Sequence, residues 1–296
     1  MRSGRNLALI SFACVKRKLD AHAHNIALHN MIFALPFAYT SAILAAGGHP
    51  SLHDIFWITM VIVGARSAAM AMDNLIDLKF DRQQARMAQR PMVTGIISVR
   101  EAKLLIAGCL ILFVVSVLQL QPICIWLMPV AAFPFLIYPY MKRVTWACHL
   151  VLGIAISMAP AGGWVAVRGD ITLPMALLCL AVCLWISAFD VVYGCQDEAF
   201  DREHQLHSMA ERFTAAGALL IARCVHVLSI LCFLGVGMLL GLGGFYFIGV
   251  VIAALTLIYQ HRIVSSDDFS RVTKNYFLRN GIVSIAMFVF TWLSLV

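Results

Sequence analysis

The chain has 296 residues, 61% of them hydrophobic and 12% charged, where an ordinary soluble domain carries about 25% charged residues. A mean hydropathy of +0.87 excludes a soluble globular protein. The formal net charge of +7 comes with no nucleic-acid-binding module, so the surplus Lys and Arg point to anionic lipid or an anionic substrate.

The N-terminal "MRSGRNLALISFACVKRKLD" has two arginines before a short apolar stretch, as a signal peptide does. Lys16, Arg17 and Lys18 follow at once with no small-residue cleavage site, so residues 1–24 read as a cytoplasmic or interfacial segment. Beyond it, nine apolar runs reach the length of about 20 residues that crosses a bilayer core. They cover 25–47, 54–76, 101–120, 122–140, 146–167, 172–195, 214–237, 243–261 and 276–296. Prolines 36, 129, 134 and 160 fall inside these runs and read as kinks, which packed membrane helices tolerate. The nine cysteines show neither metal spacing nor a disulfide framework.

Lys and Arg fall almost entirely in alternate connections. One set holds Lys16 to Lys18, Arg82, Arg86, Arg90, Lys142, Arg143 and Arg202, while the opposite set holds only Arg168. The asymmetry predicts a cytoplasmic N-terminus and, with nine spans, an external C-terminus. The expected fold is therefore an all-α integral membrane protein with about nine transmembrane helices. Acidic windows at equivalent places suggest two four-helix halves plus one helix, in a single domain over 1–296, with a central cavity opening to the cytoplasmic side.

Eight of the fifteen carboxylates lie in those two windows, Asp73 to Asp81 and Asp190 to Glu203, each where an apolar run meets the cytoplasmic face. Asp73, Asp77 and Asp81 recur every four residues, as do Asp197 and Asp201, with Asp190 seven earlier. On a helix these steps share a face, where like charges repel and the C-terminal dipole is unfavourable to anions. Hard divalent cations relieve both, and Mg²⁺ typically takes one or two carboxylates while keeping positions for water and phosphate. Arg66 lies deep in the second run, seven residues before Asp73. An intramembrane arginine is a functional candidate by default, or else a buried ion-pair partner of Asp73 or Asp190. Lys142 and Arg143, ending the fourth run, either grip phosphate oxygens or anchor the chain at the inner face.

These windows carry a resemblance. "DNLIDLKFDRQQARMAQRPMVTG" resembles the first motif of the UbiA superfamily of intramembrane aromatic prenyltransferases, N-x-x-x-D-x-x-x-D followed by R-P-x-x-x-G, and "DVVYGCQDEAFD" resembles its second, D-x-x-Y-x-x-x-D-x-x-x-D. The wording is most similar to the 4-hydroxybenzoate polyprenyltransferase-like branch, including members serving the futalosine route to menaquinone. The likeness extends to about Phe213. Two departures stand out: Asp73 occupies the usual asparagine position with Asn74 after it, and Gln205 stands where a glycine is usual in "GLHS".

The resemblance implies an enzyme of the inner membrane that moves a polyprenyl group from its diphosphate to a ring carbon of a small aromatic acid, either 4-hydroxybenzoate or a dihydroxynaphthoate. It assigns Asp77, Asp81, Asp197 and Asp201 to Mg²⁺. Asp73, Asn74, Lys142, Arg143 and Arg66 are assigned to substrate, and Asp190, Tyr193 and Arg66 to catalysis. Two other membrane classes are weighed against it. A CDP-alcohol phosphotransferase needs a D-G-x-x-A-R element that is absent, and a secondary transporter would carry its ionisable residues near the midplane.

Overall fold

The computed structural model describes residues 16–26, 31, 33–266, 268–272 and 274–296. Each predicted run contains a helix. In chain order they are α1 (16–25), α2 (Leu35–Ala45), α3 (Leu52–Ile76), α4 (Leu78–Asp81), α5 (Val99–Val117), α6 (Ile123–Met141), α7 (Cys148–Arg168), α8 (Leu173–Gly194), α9 (Glu198–Glu203), α10 (Met209–Leu239), α11 (Gly244–Ile263) and α12 (Lys274–Leu293). Six of the helices, α3, α6, α7, α8 with its continuation to Glu203, α10 and α11, are long and apolar enough to cross a bilayer. Two of the other runs fall short for visible reasons. Helix α2 has 11 residues, and Arg100, Glu101 and Lys103 charge the start of α5; the last run holds α12, 20 residues from Lys274 to Leu293.

Pro36 corrects one expectation. It sits in the first turn of α2 and starts that helix rather than kinking it, because a first-turn proline forfeits no intrahelical bond. The earlier part of that run, 27–30 and 32, lies outside the described residues, as do residues 1–15 of the expected N-terminal segment. Pro129 and Pro134 lie inside α6 and Pro160 inside α7, as the sequence predicts.

Contacts divide the chain into two compact units, Met1–Met31 with Val63–Phe113, and Ile32–Ile62 with Val114–Val296. In the first, Ala21, Met92, Ile97 and Ala102 form a small apolar cluster, and Lys18 is ion-paired to Glu101. In the second, Phe37 stacks on Phe233 with centroids 5.6 Å apart and meets Trp185 at 5.3 Å. The Trp185 indole N–H donates to Asn280 Oδ1 at 3.1 Å, so the polar edge of this buried ring is satisfied where water is absent.

Helix α10 starts five residues before the predicted run. The Ser208 hydroxyl accepts from Glu211 N at 3.1 Å, one arm of an S-x-x-E cap. The helix then breaks at Thr214, whose φ of 63° is non-helical. Beyond the break, Ala215 N donates to Glu198 Oε2 at 3.0 Å, so a carboxylate of the second acidic window caps the longer piece. Glu198 is also paired with Arg202 one turn on, at 2.8 Å.

Candidate active site

The first acidic window belongs to the first unit. Asp77 closes α3 and opens α4. Its N–H reaches Asp73 O at 2.9 Å, and Asp81 N reaches Asp77 O at 2.9 Å, so four-residue bonds link the three aspartates across the join, where Phe80 N turns instead to Asp77 O. Asp73, Asp77 and Asp81 therefore keep the common face that their spacing predicts. Asp81 is buried, and Arg90 Nη1 donates to its Oδ2 at 2.6 Å. Arg90 is brought back to α4 by the turn that the R-P-x-x-x-G stretch encodes. Val93 N and Thr94 N both donate to Arg90 O, and Ile97 N donates to Pro91 O at 3.1 Å. Gly95 takes a φ of 76°, a conformation that a Cβ disfavours. Buried Met92 and Ile97 pin this turn to α1 and α5.

Arg66 is buried in α3. Asn74, assigned above to substrate, donates its side-chain amide to Asn25 O at 2.7 Å and to Asn25 Oδ1 at 3.3 Å, which ties α3 to α1.

The second window belongs to the second unit. Asp190 and Tyr193 lie in the last turn of α8, and Asp197 leads into α9, which carries Asp201. Asp197 is 8% exposed and Asp201 1%. Lys142, at the end of α6, places Nζ 3.3 Å from both oxygens of Asp201. Burial pulls the Lys142 pKa down, but Asp201 and then Asp197 outweigh it and hold the ammonium above its ordinary value. The following loop is tied to the same point, with His207 N donating to Lys142 O at 2.6 Å and Leu206 N to Asp201 O at 2.8 Å. Ser208, the α10 cap, also hydrogen-bonds to the Asp201 side chain.

Lys142 and Arg143 part company. Lys142 turns to Asp201, while Arg143 is exposed with its guanidinium 5.5 Å from the Tyr140 ring centroid. Gln205 adopts a φ of 54°, so the glycine conformation is retained without the glycine. A non-glycine residue there costs roughly 1–2 kcal/mol, part of which glycine returns as unfolded-chain entropy. Gln205→Gly should therefore stabilise the protein by about 1 kcal/mol, measured as a thermal midpoint raised by roughly 2 °C in detergent.

One residue of the site, His149, belongs to neither acidic window. It is buried at the start of α7, and its Nδ1 lies 2.7 Å from Asp190 Oδ2. The two residues are 41 apart in the chain, and a lone histidine in an apolar run carries no local signal. Arg90 reads in the sequence as a cytoplasmic charge and as the arginine of the R-P-x-x-x-G stretch, and neither points to Asp81.

The donor set suits a hard cation. Among the described residues no group of three or more His, Cys, Asp or Glu side chains is placed to hold a metal ion. Each acidic window presents buried or half-buried carboxylates one turn apart, matching Mg²⁺ bound by one or two carboxylates with water and phosphate completing its shell.

Residues 34–291 match the UbiA prenyltransferase family. The chain belongs to that family. Among its UbiA-type relatives, the 4-hydroxybenzoate octaprenyltransferase of Aromatoleum aromaticum is 33% identical over 246 residues, covering 83% of both chains. That of Providencia stuartii is 31% identical, over 86% of this chain and 88% of its own. A UbiA homologue from Aeropyrum pernix K1 superposes with a TM-score of 0.82 at 32% identity, over 90% of this chain and 98% of that one. A UbiA homologue from Archaeoglobus fulgidus, whose structure is bound to GPP and Mg²⁺, shares the fold at a TM-score of 0.69 and 19% identity, over 93% and 99% of the two chains. The protein is thus a UbiA-family prenyltransferase, an enzyme that passes through the membrane several times.

Proposed function

We propose that this enzyme transfers a polyprenyl group from a polyprenyl diphosphate to a ring carbon of 4-hydroxybenzoate, releasing pyrophosphate, in the making of ubiquinone. The acceptor is supported by the name shared by its relatives at 31–33% identity. The observation that carries the chemistry is Lys142 drawn onto buried Asp201 beside buried Asp197. Desolvated carboxylates with an adjacent ammonium form a polar end to an otherwise apolar helix pair, a place for a metal diphosphate whose tail lies in lipid.

In this reading Asp77, Asp81, Asp197 and Asp201 are the residues that hold Mg²⁺. When bound, the metal supplies charge neutralisation of the departing pyrophosphate. Lys142 contributes a further cation to the phosphate oxygens, and Arg143 stands at the same inner boundary for the diphosphate. Asp190 and Tyr193 orient the acceptor hydroxyl, and Asp190 receives the ring proton. Arg66 holds the acceptor carboxylate, while Asp73 supports the binding face of α3. Apolar walls keep water from the allylic cation. In this reading the nine apolar runs span the inner membrane, and the Lys and Arg asymmetry supports the N-terminus and both acidic windows lying on the cytoplasmic side.

The test uses membranes containing the protein, a polyprenyl diphosphate and Mg²⁺. Pyrophosphate release should require 4-hydroxybenzoate, and mass spectrometry should find the prenylated acid. Turnover with a dihydroxynaphthoate and none with 4-hydroxybenzoate would reject the acceptor.

A further inference from the structure

We propose that His149 is a positioning residue of the reaction, holding the Asp190 carboxylate through an Nδ1–H bond in the orientation that receives the proton lost from the acceptor ring. The inference rests on the prenyl-transfer reading above and adds to it a residue that neither acidic motif contains.

The geometry is specific. His149 stands in the first turn of α7 and Asp190 in the last turn of α8, and the bond across the two helices is 2.7 Å. The imidazole is 3% exposed, whereas the carboxylate keeps 18% of its surface open. Asp190 is thus anchored on one side and reachable on the other. The space for the ring is made by glycine: a Cβ at Gly194 would lie 2.8 Å from His149 Cε1. Gly194 and Asp190 are four residues apart on one face of α8, so the same face provides the bond acceptor and the floor beneath the imidazole. Further along, a Cβ at Gly153 would collide with Ser187 Oγ and Cys183 O. The two glycines let α7 and α8 approach closely enough for the bond to form. A histidine merely filling an apolar slot has no need of a carboxylate partner, and a buried charge is costly unless it is paired.

The step balances as follows. The bond between the allylic carbon and the diphosphate oxygen breaks, and its electron pair leaves with pyrophosphate. The ring carbon beside the acceptor hydroxyl forms the new C–C bond to the allylic carbon. That ring carbon then gives up its proton to the Asp190 carboxylate as aromaticity returns, and the proton passes to water before the next turnover. His149 does not touch the substrate. It fixes which way the accepting oxygen points, and misplacing a reacting group by about 1 Å can cost about 10²-fold.

The purified enzyme is assayed in detergent with geranyl diphosphate, Mg²⁺ and 4-hydroxybenzoate, with and without deuterium at both ring carbons beside the hydroxyl. His149→Leu should lower kcat by about 10²-fold and leave the prenyl-diphosphate KM unchanged. It should also show a larger rate ratio between the light and deuterated acceptors than the wild type does, because ring-proton loss has become slow. His149→Gln, whose amide N–H can reach the same oxygen, should recover most of the loss. Gly194→Ala, which pushes the ring aside, should reproduce it. A folded His149→Leu enzyme with the wild-type kcat and isotope ratio overturns the proposal, as does a loss confined to the prenyl-diphosphate KM, or a His149→Gln variant no better than His149→Leu. Should His149→Leu fail to fold, Gly194→Ala carries the same two readouts and a wild-type result there overturns it equally. Wild-type turnover separates the two claims: no product from any form defeats the acceptor assignment and this inference together, whereas product from all forms at equal rates defeats this inference alone.

Discussion

Asp197→Ala should reduce prenyl transfer by roughly 10³-fold or more, with Asp77→Ala matching it, and EDTA should do the same to the unmodified enzyme until Mg²⁺ is returned. Asp197 is 8% exposed and lies one turn from Asp201, itself 1% exposed, so two desolvated carboxylates stand on one short helical segment. Such an arrangement opposes its own stability through like-charge repulsion unless a cation is shared. Asp77 stands in the same relation to Asp81, which Arg90 already engages. On the proposed assignment, removing Asp197 takes away both a metal ligand and part of the repulsion. The folded state should therefore survive with a thermal midpoint near that of the parent while turnover disappears. Pyrophosphate release at the parent rate in excess chelator would dismiss the metal assignment.

Lys142→Met should lose both stability and turnover, and Asp201→Asn should separate the two losses. Lys142 Nζ is 3.3 Å from each Asp201 oxygen, and the two side chains are 36% and 1% exposed. Solvent partly screens the half-buried ammonium, so most of the stability loss comes from the buried carboxylate left without its partner, about 1–3 kcal/mol. In an Asp201→Asn background that penalty should largely vanish, since no charge remains to be stranded. Turnover should stay low in the double variant, which lacks both the proposed diphosphate cation and a proposed metal ligand, so the rescue is confined to stability. Thermal unfolding and the prenyl-diphosphate KM, measured on the same four proteins, make the cycle. Restored turnover in the double variant would overturn both the diphosphate role of Lys142 and the metal role of Asp201.

Several features of the fold and site were legible because their physics is local. Apolar runs long enough for a bilayer located a helix in every expected place, and four-residue spacing put the carboxylates of each window on one face before any contact was known. The R-P-x-x-x-G stretch ending at Gly95 encodes its own turn, whereas the S-x-x-E cap at Ser208 and Glu211 lies ahead of the expected start of α10. Gln205 is the instructive exception. Its positive φ persists without glycine because the surrounding bonds, Leu206 N to Asp201 O and His207 N to Lys142 O, fix the loop more firmly than one residue's preference opposes it.

Sequence alone thus determined the membrane character, the helical class and the residue types of the two acidic windows, since each follows from hydropathy or from spacing within a single helix. Only the tertiary structure decided which charges meet. Arg90 reaches Asp81, Lys142 rather than Arg143 reaches Asp201, Asn74 is used to tie α3 to α1, Glu198 caps the helix after Thr214, and His149 reaches Asp190 across 41 residues. The reason is the range of the forces. Periodicity reports the face on which a side chain lies, whereas a hydrogen bond forms only within about 3 Å, and how closely two helices approach is set by pairs such as Gly153 against Ser187 and Gly194 against His149, which no single stretch of sequence contains.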